Sequence, residues 1–310
     1  MIGAVRETVV YGSAARRFGA SRRDRSAGPA RDSERAGISA LDVYRITDEL
    51  DDDMSEVLAA RLEARGKHPV FLRMLEQYLD AMSIDSARLV LDMGCGTGVA
   101  ARTLARRAGF AGRVVGVDRS PFLIAAADRL AREERLSTRV EFRTGDTHSL
   151  ALADASFDAV VAHTLISHVE DPAAVLAEMR RIVRPGGMIG VFDGDYASIT
   201  YAQDDLEQTK QDDEAIISAI VTNPRIMRMM PRMIGQAGLE LIAAFPNVIA
   251  EVGRSDFFTA SIASFRKVLP RSGAWSEEKA NAWADDMLRA SEQGRFFAST
   301  NFYAYVLRRV

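Results

Sequence analysis

The 310-residue chain has one cysteine, Cys95, and four histidines. A single thiol excludes an internal disulfide, a multi-cysteine zinc site and a thiol relay, and it fits a reducing cytoplasm. No apolar run approaches the roughly 20 residues needed to span a bilayer. Surplus charge is small too, with a formal net charge of −3. A protein that grips a nucleic-acid backbone usually shows a basic surplus or a clustered basic face, and the body of this chain has neither. Nucleic acid is therefore a disfavoured partner. Lysine is confined to Lys67, Lys210, Lys267 and Lys279, so the arginine excess reads as a compositional bias rather than as function. What is present, 47% apolar and 27% charged residues, is ordinary for a globular chain of one large or two small domains.

Residues 1–40 are rich in Arg, Ala, Gly and Ser and show no sustained apolar period. They are expected to be a disordered extension rather than a transit-like peptide or a basic arm. Residues 41–85 predict a helical lid or packing layer. Ser55 is placed to cap Glu56–Arg65, and Pro69 suits the first turn of a helix carrying Phe71, Leu72, Leu75, Tyr78 and Leu79.

From Arg88 the period switches. Strands are predicted at Leu89–Met93, Arg113–Asp118, Val140–Thr144, Phe157–Ala162 and Met188–Asp193, alternating with helices at Thr97–Ala108, Pro121–Glu134 and Pro172–Val183. That alternation predicts an α/β fold, a mostly parallel sheet with helices on both faces. Beyond Asp195, helices are expected at Asp204–Thr222 and Pro224–Ala237, forming a helical insertion at about 203–237. A strand broken at Pro246 follows over Leu239–Val252, then a helix over Ser276–Ser291 and a strand over Phe296–Leu307.

The chemistry is concentrated in Val90-Leu91-Asp92-Met93-Gly94-Cys95-Gly96-Thr97-Gly98, an apolar strand that ends in an acid and turns through three glycines into a helix. Glycine is needed where backbone turns sharply and a ligand approaches with no Cβ in the way. The spacing is G-x-G-x-G rather than the G-x-G-x-x-G of dinucleotide sites. About twenty residues on, Gly116-Val117-Asp118-Arg119-Ser120 sets a second acid at a strand end, where a carboxylate can accept both hydroxyls of a ribose or cap the next helix. Three further stations are Thr144-Gly145-Asp146-Thr147, Phe157–His163 running into His168-Val169-Glu170-Asp171-Pro172, and Val183-Arg184-Pro185-Gly186-Gly187.

Over Arg88–Asp195 the chain resembles the class I S-adenosylmethionine (SAM)-dependent methyltransferases, and within them the ubiquinone/menaquinone-biosynthesis and natural-product small-molecule enzymes. The resemblance implies a Rossmann-like seven-stranded sheet with its last pair antiparallel, spanning 86–310. It implies SAM as cofactor, with S-adenosylhomocysteine as product. The implied cofactor-binding residues are Asp92, Gly94, Cys95, Gly96, Gly98, Asp118, Arg119, Asp146, Thr147 and His163, with Asp146 directed at the adenine amino group.

An activated sulfonium methyl needs mainly an acceptor held in line, with a base where the acceptor must lose a proton. His163 at the end of the fourth strand is the first candidate base and His168 the second. Tyr196, with Asp193 and Asp195, is expected along the same crevice, and Arg65 is placed to reach the cofactor carboxylate. Met227, Met229, Met230 and Met233, and the aromatic set Phe257, Phe258, Phe265, Trp275 and Trp283, are either core or acceptor-pocket wall. The absence of an Asp-Asn pair argues against a bound metal. The expected partner is a small-molecule acceptor, and a homo-oligomer is compatible with the sequence. The alternatives are a SAM-binding protein of cyclising, rearranging or non-catalytic role, and an NAD enzyme.

Overall fold

In the computed structural model, which describes residues 42–310, the boundaries of the first helices follow from side-chain caps. The Asp51 carboxylate accepts the Met54 N–H and opens α1 (Asp52–Lys67), with Asp52 and Asp53 in the first turn, where acids favour the helix dipole. The cap is thus Asp51, four residues before the expected Ser55, which lies buried inside the helix. His68 caps α2 (Pro69–Ala81), and Pro69 occupies its first turn as predicted. The basic stretch read at 1–40 lies outside the described residues.

The core then alternates β1 (Leu89–Met93), α3 (Val99–Arg106), β2 (Arg113–Asp118), α4 (Pro121–Glu133), β3 (Val140–Thr144), β4 (Phe157–His163), α5 (Pro172–Ile182) and β5 (Val183–Tyr201). It ends in α6 (Leu206–Ile220), α7 (Ile226–Gln236), β6 (Leu239–Gly253), α8 (Thr259–Arg271), α9 (Glu277–Glu292) and β7 (Phe296–Arg309). The seven strands lie in the order β3-β2-β1-β4-β5-β7-β6. Strands β1 to β5 are mutually parallel, and β7 runs antiparallel to both β5 and β6. This is the Rossmann-like sheet expected from the sequence. Its order reverses between β1 and β4, which opens a crevice at the carboxyl ends of β1, β2 and β4.

Strand residues alternate between two apolar cores, one on each face of the sheet. Val90, Val114, Val161 and Phe192 join the core that includes α1–α4, α6, α8 and α9. Leu91, Val115, Val160 and Val191 join the core that includes α5 and α7. Arg102, fully buried on α3, bridges Glu63 of α1 and Glu134 at the end of α4, and so ties the N-terminal helices to the glycine loop.

Four features differ from the sequence reading. The stretch 203–237 is not one insertion: α6 joins the first core, whereas α7 packs with α5 in the second. Strand β5 continues eight residues past Asp193 because β7 keeps pairing with it to Tyr201. No break occurs at Pro246, which pairs in register with Tyr303. Strand β6 is the sheet edge, where a missing N–H costs no ladder bond, and the register slips instead between Leu241 and Ala243. Helix α8 is an element the sequence reading omitted.

Candidate functional site

The crevice holds a cleft of about 230 Å³. Its walls come from the β1–α3 loop, the ends of β2, β3 and β4, the loop after β4, α1, and the segment 42–50 that precedes α1. Asp92, Gly94, Cys95, Gly96, Asp118, Arg119, Asp146, Thr147, His163 and His168 all line it. One fold thus gathers residues spread over 77 positions of sequence.

The glycine loop is held from below and from the side. The Gly94 and Cys95 N–H groups donate to the Val117 carbonyl at 2.7 and 2.9 Å, stitching the loop to β2. Asp118 Oδ2 accepts the Gly96 N–H at 2.8 Å, and Oδ1 accepts the Ser120 N–H at 3.0 Å. Asp118 therefore organises both the loop and the start of α4. Gly94, Gly96 and Gly98 have φ of +71°, +54° and +79°, a region that L side chains avoid. Gly98 does not line the cleft. It is the residue that caps α3, and a Cβ there would lie 2.5 Å from the Phe142 ring.

Asp92 is buried and accepts the Ala101 N–H through Oδ2 at 3.0 Å, while its Oδ1 is buried without a partner. Burial, reinforced by the Asp118 charge, pushes its pKa up to about 7 against the pull of the Ala101 bond. The Cys95 thiol is pushed up as well, by burial and by both carboxylates, so it is a wall rather than a nucleophile. Two carboxyls and an orphaned oxygen around one loop suit a cationic ligand. The ammonium and sulfonium of SAM are such charges, so the residues present fit that cofactor. Among the described residues no group of three or more His, Cys, Asp or Glu could hold a metal.

Asp146, Thr147 and Arg119 form another part of the cleft wall. Asp146 Oδ1 accepts both the backbone N–H and the ring Nδ1 of His148, at 2.9 and 2.8 Å, which holds its pKa below the usual range. Arg119 pairs with Asp48 at 2.6 Å and donates to the Arg45 carbonyl, while Arg45 meets Glu170 at 3.1 Å. The segment 42–50 is thereby tied to both rims of the cleft.

The two histidines have opposite environments. His163 is stacked on Phe192 at 4.6 Å, edge-on to Phe71, with its Nδ1 3.1 Å from the Tyr78 hydroxyl. This enclosure, with the nearby Arg65 charge, drives its pKa down to about 3. Such an imidazole is neutral at physiological pH and a weak base. His168 points Nδ1 at Asp42 Oδ2, 3.0 Å away, and that carboxylate also accepts the N–H and hydroxyl of Thr222. A carboxylate with these partners fixes the Nδ1–H tautomer, which leaves Nε2 as the ring nitrogen without a partner among the described residues.

Tyr196, read from sequence as a crevice residue, does not line the cleft. It is 5% exposed and packs 6.0 Å from the His168 ring. Asp193 and Asp195 are also absent from the wall. Asp193 accepts the Ser167 and Gly194 N–H groups, and Asp195 is gripped by Arg228. The strand-end position that suggested a site role serves here to pin the β4–α5 loop and α7. Met227 and Met230 are fully buried core residues of α7, and the five aromatics belong to the first core. Arg65 does reach the cleft, where its Nη2 donates to Thr164 Oγ1 at 2.9 Å.

Sequence reasoning missed Asp42, Tyr44, His148 and Thr164. His148 was detectable as the histidine two places after Asp146. Thr164 has a φ of +61°, a strained conformation for a β-branched residue in the cleft wall, which no sequence signal announces.

Residues 91–191 match the family described as a methyltransferase domain. Together with the sheet order and the glycine loop, this means that the chain carries a class I SAM-dependent methyltransferase domain, whose cofactor is SAM. The chain is 32% identical over 231 residues to an uncharacterized 37.1 kDa transposon protein of Streptomyces fradiae, covering 74% of this chain and 64% of that protein. It is 39% identical over 121 residues to Methyltransferase GfsG of Streptomyces halstedii, covering 39% of this chain and 43% of that protein. The chain thus spans less than two thirds of the length of these curated relatives. Among solved structures, the (4+2)-cyclase SpnF superposes with a TM-score of 0.57 at 19% identity, covering 88% of this chain and 99% of that one, a likeness of fold.

Proposed function

We propose that this protein transfers the methyl group of SAM to an oxygen, carbon or nitrogen atom of a small-molecule acceptor in secondary or quinone-type metabolism. The observation that carries the reading is Asp118, whose carboxylate braces the glycine loop at a strand end inside the matched domain. In this reading Asp118 takes the ribose hydroxyls, Asp146, Thr147 and Arg119 frame the adenine, and Asp92 with the Gly94-Cys95-Gly96 loop receives the methionyl part. Arg65 meets its carboxylate. When bound, the cofactor supplies a methyl already activated on a sulfonium sulfur.

The chain's own work is to hold the acceptor, exclude water and accept a proton where one must leave. His168 is the base of this reading, because Asp42 supports its Nδ1 and leaves Nε2 free to accept. His163, neutral and stacked, serves as a rigid hydrogen-bonding wall. Segment 42–50 with α1 and α2 forms the lid that excludes water. The reading extends to a cytoplasmic protein, supported by the lone buried thiol, and to a homo-oligomer, for which the mass in solution is the test. Among the described residues no helix is long and apolar enough to cross a membrane.

The test pairs two measurements. Calorimetry is expected to give tight S-adenosylhomocysteine binding and no NAD binding. Isotope-labelled methyl from SAM is expected to appear in a small molecule of the producing cells. Binding without any labelled product favours the alternative, a SAM-binding protein that catalyses cyclisation or rearrangement or has a non-catalytic role.

A further inference from the structure

Two arginines one helical turn apart on α1 have no acidic partner among the described residues. Arg61 is 5% exposed, and its Nε and Nη1 are buried without a hydrogen-bond partner. Its Cζ lies 5.5 Å from the Tyr44 ring centre and 5.1 Å from that of Phe265. Arg65 stacks 5.3 Å from the Phe71 ring centre, and its Nε is likewise buried and unpartnered. The contrast with Arg102 on α3 is sharp, since that guanidinium is fully buried but meets two glutamates. Aromatic faces attract a guanidinium weakly and do not replace the hydrogen bonds that its N–H groups have lost. An unpaired buried charge is a liability for stability, so the site is incomplete without an anion.

Arg61 is not itself in the cleft wall; it lies behind Tyr44, which is. The Tyr44 hydroxyl is also buried without a partner, and the Tyr44 ring packs 4.9 Å from the ring of His168. Tyr44, Arg65 and His168 all line the cleft. The cofactor brings one carboxylate, which satisfies one guanidinium and leaves the other unpaired. We propose that the acceptor carries an oxyanion, a carboxylate or a phosphate, bound by Arg61 and the Tyr44 hydroxyl, with the atom to be methylated one ring's width away beside His168. This rests on the methyl-transfer reading above and adds the chemical class of its acceptor. Entry is by displacement of segment 42–50, which carries Tyr44 and is tied to the core through Asp42, Arg45 and Asp48.

The test uses the full chain saturated with S-adenosylhomocysteine, with benzoate, inorganic phosphate, benzamide and chloride as probes at equal concentration. At about tenfold above its dissociation constant, a bound probe raises Tm by roughly 3 °C. Benzoate or phosphate is expected to do this and the neutral benzamide is not; which of the two acts names the oxyanion. The Arg61→Met variant is expected to lose the shift, to unfold no lower than wild type without anion, and to bind S-adenosylhomocysteine within twofold of wild type. Arg61→Lys, which keeps the charge without the fork, is expected to retain part of the shift. No shift of wild type with either benzoate or phosphate, equal protection by benzamide, an anion shift that survives in Arg61→Met, or a markedly lower Tm of that variant without anion would each overturn the proposal. If Arg61→Met instead loses affinity for S-adenosylhomocysteine, the anion held is the cofactor's own and the proposal also falls. Failure of wild type to bind S-adenosylhomocysteine would strike the functional reading itself, and is read separately.

Discussion

Replacing Asp118 by alanine tests the cofactor site where its two duties overlap. The carboxylate is 9% exposed and accepts two backbone N–H groups, at 2.8 and 3.0 Å. Stranding each buried donor costs about 1–3 kcal/mol, partly offset by removal of a buried acid whose pKa burial has raised. The expected loss is about 2–4 kcal/mol of stability, or roughly 5–12 °C in Tm, against a typical total of about 5–15 kcal/mol. Ribose hydroxyls donating to a carboxylate add a separate loss in affinity. Two charge-assisted bonds together contribute about 3 kcal/mol net, so binding should weaken on the order of a hundredfold.

Loop damage and ribose loss are separated by titrating both proteins calorimetrically with S-adenosylhomocysteine and with its 2′,3′-dideoxyribose analogue. Wild type should prefer the full ribose by about a hundredfold, and Asp118→Ala should show almost no preference, which is the logic of a double-mutant cycle. A preference that survives in the variant refutes the ribose assignment. An unchanged Tm refutes the tether between Asp118 and the loop.

Other perturbations have equally definite outcomes. The Asp92 carboxyl, raised to about 7, stays protonated in the folded chain while the unfolded carboxyl ionises near its ordinary value of 3.8. Its contribution to stability is therefore full at pH below about 4 and is lost as pH rises to 7, on the order of 4 kcal/mol in all. Asp92→Asn should flatten that slope in urea titrations taken across this range, and a pH-independent difference from wild type would reject it. With a labelled product in hand, His168→Asn should lower kcat by about 10²–10⁴-fold with S-adenosylhomocysteine affinity retained, and Asp42→Asn, which removes the acceptor that orients the ring, should lower kcat in the same direction. A larger loss from His163→Gln than from His168→Asn would return the base to His163. Gly98→Ala combines a φ of +79° with a Cβ placed 2.5 Å from Phe142, and should cost about 2–4 kcal/mol by urea unfolding. A cost below about 1 kcal/mol would mean that α3 shifts freely.

The parallel half of the molecule was legible because its signals are local. The strands Leu89–Met93, Arg113–Asp118 and Val140–Thr144 appear with the limits expected from their apolar runs, and the glycine loop follows β1 as its spacing demanded. Helix α8 carried a readable signal, Ile262, Phe265, Val268 and Leu269 at helical spacing, all fully buried. It was obscured by the neighbouring aromatics, which read equally as core or as pocket wall. Strand lengths after β4 were not legible, since β5 persists only because β7 pairs with it.

The sequence by itself determined the glycine-loop side of the cleft. A glycine loop after a strand and an acid at the next strand end are short-range patterns, and β1 pairs with β2 in parallel, which brings both strand ends to one crevice. Tertiary structure decided the rest. Asp42 meets His168 across 126 positions of sequence, and Arg65 meets Thr164 across 99. Burial, which no local pattern reports, drives the pKa of His163 down to about 3 while a carboxylate supports His168. Proton affinity depends on solvent exclusion and on charges brought close by folding, so the choice between two histidines five residues apart belongs to the fold.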